Sequence, residues 1–234
     1  MLISILIPCF NEEKTIKELI SKVKKAKLPG STQREIIVVD DASTDKTKKI
    51  LKSIKGIKIF EHTDNKGKGA AVLTAIKKSK GDILIIQDAD LEYNPKYYVK
   101  LLIPFWKNKA EVVYGTRLKN YPLKFFGVKR TPLISHFLGN KFLSFATGVI
   151  YGKAVSDMET GYKLFSRDAI NGININAKRF DFEAEFTAKI LKKGIKIYEV
   201  PIKINPRGYD EGKKITWKDG LLALLVLFKY RFTD

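Results

Sequence analysis

The stretch LIIQDADLEY, Leu84 to Tyr93, decides how the rest of the chain is read. Leu84, Ile85 and Ile86 form an apolar run of the kind that makes a buried strand, and it leads directly into Asp88, Asp90 and Glu92 at alternate positions. Side chains alternate along an extended chain, so Asp88 and Asp90 are expected on one side, with Glu92 continuing the series. Like charges so close repel unless a cation lies between them. Paired carboxylates suit a hard divalent ion such as Mg²⁺ or Mn²⁺, which prefers oxygen and keeps positions for phosphate oxygens. The plainer reading is that these are solvated acids opening a turn before Pro95.

Working outward, apolar strand-like runs alternate with lysine-studded helical patterns. LISILIP is read as the first strand, followed by a helix from about Glu12 to Lys27 with Ile16, Leu19, Ile20 and Val23 at helical spacing. EIIVV is the second strand, with a helix from Ser43 to about Ile54, and IKIF the third, with a helix from about Gly69 to Lys78. DILII is the fourth; a helix begins near Pro95, and EVVYGT is the fifth. Strands apolar on both faces and joined by helices imply a mostly parallel sheet covered on both sides, an α/β fold. The βα loops then share the carboxyl edge of the sheet, where open α/β sheets bind ligands. After about Asn120 the regular alternation stops. An aromatic and basic segment, 121–145, gives way to a helical stretch, DFEAEFTAKILKKG, a strand, IKIYEVPI, a basic loop, NPRGYDEGKK, and a last helix.

Composition sets the limits. The chain has 234 residues, 44% hydrophobic and 29% charged, enough for one sizeable core. Its balance is 44 Lys and Arg against 25 Asp and Glu, a net +19. Nucleic acid, an anionic membrane and phosphate-rich substrates all suit such a charge. Much of the lysine falls on helical patterns, which equally suits a solvated surface. A single cysteine, Cys9, excludes an intrachain disulfide, and the two histidines, His62 and His136, share no ligand spacing. This cysteine and histidine usage makes a cytoplasmic location the expectation, and LISILIP is too short for a signal-peptide core and lacks the basic leader. GLLALLVLF, Gly220 to Phe228, is short of the roughly 20 residues needed to cross a bilayer. Its bracketing by Trp217, Lys218, Lys229, Tyr230 and Arg231 suits an amphipathic helix lying in a membrane interface as well as it suits an ordinary core helix.

The remaining loops at the carboxyl edge carry their own chemistry. Asp40, at the tip of the second strand, can accept hydrogen bonds from a ribose hydroxyl or a base edge, while Ser43 can cap the next helix. NKGKGAA places two glycines and Lys68 before a helix, a setting in which backbone and ammonium can approach a diphosphate. Neither the dinucleotide glycine pattern nor the P-loop pattern is present, which argues against a nicotinamide cofactor and a P-loop ATPase.

Taken together, ILIPCFNEE, VVDDASTDKT, NKGKGAA, IIQDADLEY and VVYGTR occur in the order and spacing that resembles glycosyltransferase family 2, the inverting GT-A group. DMETGYKLF, FDFEAEF, KIYEVPI and RGYDEGKKI resemble the branch that contains the dolichyl- and polyprenyl-phosphate hexose synthases. The resemblance runs to about residue 215. It implies a GT-A catalytic domain over 1–215, with a nucleotide-sugar-binding half at 1–119 and an acceptor half at 120–215, and a C-terminal amphipathic helix over 216–234. It further implies that Asp88 and Asp90 bind the metal, to which Glu92 is added as a third ligand by the alternation alone since family members often carry Gln or His there, and that Pro8, Phe10, Glu12, Asp40, Lys68, Asp88 and Ala89 bind the donor. The same resemblance places catalysis on Asp90, Arg117 and Asp157.

The acceptor decides whether a base is needed. A hydroxyl must lose its proton, and Asp157 is the family-matched candidate. A lipid phosphate is already anionic and needs cations instead, for which Arg117, Arg130, Ser135, Arg207 and Lys214 are the candidates. The expected reaction is transfer of a hexose from a UDP- or GDP-sugar to a polyprenyl or dolichyl phosphate, peripherally on the cytoplasmic face of an anionic membrane. The alternative acceptor is a saccharide hydroxyl in glycan assembly. A nucleotidyltransferase would carry a Gly-rich basic loop where PCFNEE stands. A nucleic-acid binder driven by charge is disfavoured because no recognised module appears and strand-end carboxylates repel phosphates.

Overall fold

The computed structural model describes residues 1–118, 134–179, 181–205 and 217–233. Its centre is a seven-stranded sheet in the order β3-β2-β1-β4-β6-β5-β7. The strands are β1 (Leu2–Cys9), β2 (Gln33–Asp40), β3 (Lys58–Glu61), β4 (Ile83–Ile86), β5 (Val112–Thr116), β6 (Lys163–Ser166) and β7 (Ile197–Pro201). Helices α1 (Ile16–Lys25), α2 (Thr47–Lys52), α3 (Lys68–Lys78), α4 (Tyr98–Lys107), α5 (Ile134–Tyr151), α6 (Phe182–Lys192) and α7 (Trp217–Phe232) accompany them.

The two faces of the sheet divide the apolar residues as the alternation of a strand requires. Leu84 and Ile86 of β4 face a cluster containing Val72 of α3, Phe186 of α6 and Leu227 of α7. Ile83 and Ile85 face the opposite cluster, with Leu19 of α1 and Leu101 of α4. All four residues of β4 are buried, so the strand that carries the acidic tip is central and rigid.

The parallel sheet expected from the sequence is present in β1–β2, β1–β4, β2–β3 and β5–β7. The departure is β6, which lies inside DMETGYKLF and pairs antiparallel with both β4 and β5. An antiparallel strand begins where its neighbour ends. Ile85 pairs with Leu164, so the residues just before β6 are delivered to the carboxyl end of β4.

Two helices start later than the periodicity suggests. α1 begins at Ile16 because the chain after β1 is tied across to the loop after β2: the Glu12 amide donates to Thr47 Oγ1 (2.8 Å), and Asn11 sits at φ +54°. α2 begins at Thr47, and the acceptor at its start is Asp45, whose Oδ1 takes the Thr47 amide (2.8 Å). Ser43 does not cap that helix; its amide and hydroxyl both donate to Asp40 Oδ1.

α7 buries Ala223, Leu227 and Tyr230 against α5 and α6. Among the described residues no helix is long and apolar enough to cross a membrane.

Candidate active site

The carboxyl ends of β1, β2 and β4 are each followed by a non-glycine residue in the left-handed region: Asn11 (φ 54°), Ala42 (φ 61°) and Leu91 (φ 66°). Strain of this kind persists where surrounding contacts over-determine the backbone, and it gathers at functional sites. At β1 and β2 those contacts are the Asn11 amide to Ser43 Oγ (2.9 Å) and the Thr44 amide to Asn11 Oδ1 (2.8 Å). Pro8 pairs with Val39 and Cys9 with Asp40 in register, so the chain carrying Phe10 and Glu12 leaves β1 alongside the end of β2. Asp40 is 2% exposed.

At β4 the structure corrects the reading of an extended acidic run. The strand ends at Ile86, and the chain turns: Asp90 Oδ1 accepts the Glu92 amide (3.1 Å) and Leu91 is left-handed. Glu92 therefore does not continue the alternation of Asp88 and Asp90. Among the described residues, no three His, Cys, Asp or Glu side chains converge as a preformed metal cage.

The cation that the acidic tip calls for is supplied from within. Lys68, the first residue of α3, places its Nζ 2.8 Å from Asp88 Oδ1 and 2.8 Å from Glu183 Oε1 at the start of α6. Burial acts to strip the Lys68 ammonium of its proton, but Asp88 and Glu183 outweigh it and hold the group well above the ordinary lysine range. Asp88, Asp90 and Glu183 against Lys68 leave an excess of two negative charges. With two hard oxygen donors at Asp88 and Asp90, this set fits one divalent cation whose other positions go to ligand oxygens. Gly161 completes the cradle: a Cβ there would lie 2.1 Å from Asp88 Oδ2.

The glycines of NKGKG serve a different surface from the one expected. A Cβ on Gly67 would meet the Lys178 carbonyl at 2.4 Å, and one on Gly69 the Ala177 carbonyl at 2.7 Å. They admit the backbone that leads into α6. The amides at this helix start are also committed: Lys66 and Gly67 donate to the Asp41 carboxylate (2.9 and 2.7 Å), and Ala70 donates to the Lys178 carbonyl (3.0 Å). Asp41, buried and also bound to His62 Nδ1 (2.6 Å), thus takes the place of an anion at the α3 N-terminus and aims Lys68. Anion binding by these amides is not what the structure builds; the Lys68 side chain remains for that role.

Beneath the tip, Gln87 is the hub. Its Oε1 accepts from Tyr98 (2.9 Å) and Tyr162 (2.7 Å), and its Nε2 donates to the carbonyls of Asp88 (3.0 Å) and Tyr93 (3.1 Å). Tyr93 in turn accepts the Gly161 amide (2.8 Å). The β4 loop and the loop before β6 are thereby one unit.

Arg117, just after β5, forms a two-pronged pair with Asp157: Nε to Oδ2 (2.8 Å) and Nη2 to Oδ1 (2.7 Å), with its own amide also on Oδ2 (2.7 Å). The Asp157 side chain is 0% exposed. Both of its oxygens are engaged, which is the arrangement of a residue that orients a guanidinium. The geometry does not support the expected general base at Asp157. Next to this pair Lys163 is buried, and the half-buried Glu159 keeps its Oε1 out of solvent. Burial, and then Glu183, push Glu159 up to about 7. Burial brings Lys163 down to about 8 against the pull of Glu183 and Glu159. The Lys163 ammonium donates to the carbonyls of Met158 (2.9 Å) and Thr160 (2.6 Å). Among the described residues, Glu159 Oε1 and Glu183 Oε2 are buried and have no hydrogen-bond partner.

Of the remaining expected residues, Ala89 is buried beside Asp88. Arg130, Arg207 and Lys214 lie outside the described residues, and Ser135 is on α5 at a position whose side chain is outside them. Sequence reasoning passed over Asp41, Gln87, Glu159, Lys163 and Glu183. Asp41, Gln87 and Glu183 find partners outside their own motifs, whereas Glu159 and Lys163 share DMETGYKLF, and only folding shields them from water there.

The model of glycosyl transferase family 2 matches residues 4–173. A UDP-N-acetylglucosamine–dolichyl-phosphate N-acetylglucosaminyltransferase of Methanococcus voltae is 33% identical over 223 residues, covering 86% of this chain and 85% of that protein. A dolichol-phosphate mannosyltransferase of Pyrococcus furiosus is 28% identical over 217 residues, covering 91% of this chain and 59% of that protein. The Mycobacterium tuberculosis glucosyl-3-phosphoglycerate synthase, solved with Mn²⁺, UDP and phosphoglyceric acid, shares the fold at a TM-score of 0.72 and 18% identity over 100% of this chain and 79% of its own. An acidic strand tip cradled at the carboxyl edge of a GT-A sheet, and a family match over most of the chain, establish that this protein is a glycosyltransferase and belongs to glycosyl transferase family 2.

Proposed function

We propose that the enzyme transfers a hexose, with inversion, from a UDP- or GDP-hexose to a polyprenyl or dolichyl phosphate at an anionic membrane surface. Asp88 and Asp90 are the residues that would hold Mg²⁺ or Mn²⁺. When bound, the ion supplies Lewis-acid stabilisation of the charge gathering on the departing nucleoside diphosphate. Pro8, Phe10, Glu12, Asp40 and Ala89 bind the donor at the edge formed by β1, β2 and β4. Lys68 adds a buried ammonium beside Asp88, where desolvation strengthens its attraction for phosphate. Arg117 faces the acceptor, with Asp157 holding its guanidinium in orientation and Nη1 lying outside that pair.

The observation that carries the phosphate acceptor is the Arg117–Asp157 pair. A carboxylate locked on both oxygens is a poor proton acceptor, and a phosphate acceptor needs none. Relatives that act on dolichyl phosphate support the same reading. One observation favours a hydroxyl acceptor instead: Glu159, held near neutrality with a buried unpartnered oxygen, has the properties of a general base.

The membrane side of the proposal rests on α5 and α7, which pack together. On α5, Leu138, Phe142, Phe145 and Val149 are exposed at helical spacing, Phe145 to 70%. On α7, Leu221, Leu225, Phe228 and Phe232 repeat that spacing. With Leu222 they are nine of the twelve exposed large apolar residues among those described, which is far from a random scatter. The chain's +19 charge complements anionic lipid, where each basic side chain near the surface contributes about 1 kcal/mol.

The test is a donor panel with Mn²⁺ or Mg²⁺, offering polyprenyl phosphate and the matching polyprenol, and reading labelled glycolipid. Product from the phosphate alone, lost in Asp90→Asn, is the expected result. Full activity of Asp90→Asn removes the metal assignment, and product from hydroxyl acceptors that Glu159→Gln abolishes replaces the phosphate reading. Flotation with anionic and neutral liposomes tests the surface: equal, negligible binding to both refutes it.

A further inference from the structure

FDFEAEF contributes a residue that the expected mechanism leaves without a task. Glu183 is 5% exposed, and it meets neither donor-binding loop through its own motif. It meets Lys68. The ammonium stands 2.8 Å from Asp88 Oδ1 and 2.8 Å from Glu183 Oε1, an even division between one carboxylate at the acidic tip and one behind it.

We propose that Lys68 serves as the protein's own counter-cation on Asp88 and withdraws to Glu183 when a divalent cation arrives, so that Glu183 is a positioning residue that governs metal entry. This rests on the reading of Asp88 and Asp90 as metal-holding residues. An ammonium and a divalent ion compete for the same carboxylate oxygen and repel each other at short range. Unless Lys68 has an alternative anchor, it must either block the ion or leave the site. Glu183 provides the anchor. Its second oxygen, Oε2, is buried with no hydrogen-bond partner among the described residues, so it can accept a further N–H as the ammonium moves back.

The backbone does not need to follow. Asp41 holds the amides of Lys66 and Gly67, and the Lys178 carbonyl holds that of Ala70, so the start of α3 is pinned on both sides of Lys68. The displacement is confined to a four-carbon side chain on a fixed Cα. Lys68 then remains within reach of the diphosphate that accompanies the metal.

Mn²⁺ binding to the full chain without nucleotide, measured by electron paramagnetic resonance, tests this directly. Removing the competitor in Lys68→Met should tighten Mn²⁺ binding by about tenfold or more, the scale of one close like-charge neighbour. Glu183→Gln should weaken it to a similar extent, because Lys68 then has only Asp88. In the double variant the Glu183→Gln effect should vanish, with affinity returning to that of Lys68→Met. If Glu183→Gln weakens binding equally with and without Lys68, Glu183 acts on the metal directly and the proposal fails. If Lys68→Met does not fold, Lys68→Gln carries the same comparison. Asp88→Asn separates the two levels: wild-type Mn²⁺ affinity in that variant overturns the metal reading, whereas loss there with no gain in Lys68→Met overturns only the exchange.

Discussion

Replacing Arg117 by Met tests how the acceptor side is held. In the wild type, three donors from one residue converge on Asp157, whose side chain is 0% exposed. Methionine keeps the length and apolar stem but leaves the buried carboxylate with a single backbone N–H from that residue. Removing one partner of a buried ion pair typically costs about 3–5 kcal/mol, because the stranded charge cannot be solvated. For a chain of this size each kcal/mol corresponds to about 2–4 °C, so Arg117→Met should melt roughly 6–20 °C lower. Urea unfolding at pH 7.5, followed by far-ultraviolet circular dichroism, gives the free energy directly.

An internal control sharpens this test. Adding Asp157→Asn removes the stranded charge, so the double variant should regain most of the loss. A loss under about 1 kcal/mol in Arg117→Met, or a double variant no better than the single, would show that the pair is not the buried unit described here.

Other perturbations reach the same site from different sides. Gln87→Leu leaves the Tyr98 and Tyr162 hydroxyls without their shared acceptor, and should cost about 2–6 kcal/mol in urea unfolding, since each orphaned buried group costs about 1–3. Gly161→Ala drives a methyl against Asp88 Oδ2, so Mn²⁺-dependent binding of UDP or GDP, followed by calorimetry, should weaken about tenfold or more. Glu159→Gln tests the raised carboxyl. Its folded pKa of about 7 lies above the ordinary 4.5, so the wild type loses stability as pH rises through that window, and the glutamine variant should gain on it in melts at pH 8 but not at pH 4.

The amino-acid sequence by itself determined a good deal. β1 to β5, the helices between them, the acidic tip at Asp88 and Asp90, and the placing of Asp40, Lys68 and Arg117 at the carboxyl edge all follow from patterns confined to short windows. Apolar runs, period and turn residues act locally, and a strand end can be recognised wherever a charge interrupts it. β6 escaped because four residues, Lys163 to Ser166, carry too little pattern to distinguish a strand from a loop. Its antiparallel insertion between β4 and β5 nevertheless sets Gly161 against Asp88 and Tyr162 on Gln87.

Only the tertiary structure decided what the charges do. Lys68 and Glu183, Arg117 and Asp157, and Asp41 with the amides of Lys66 and Gly67 are joined by chain crossings that no local pattern records. Burial then assigns their roles. A carboxylate exposed to water is one of many, whereas one deprived of water must have a partner, and which partner it finds depends on how the sheet brings distant loops to one edge.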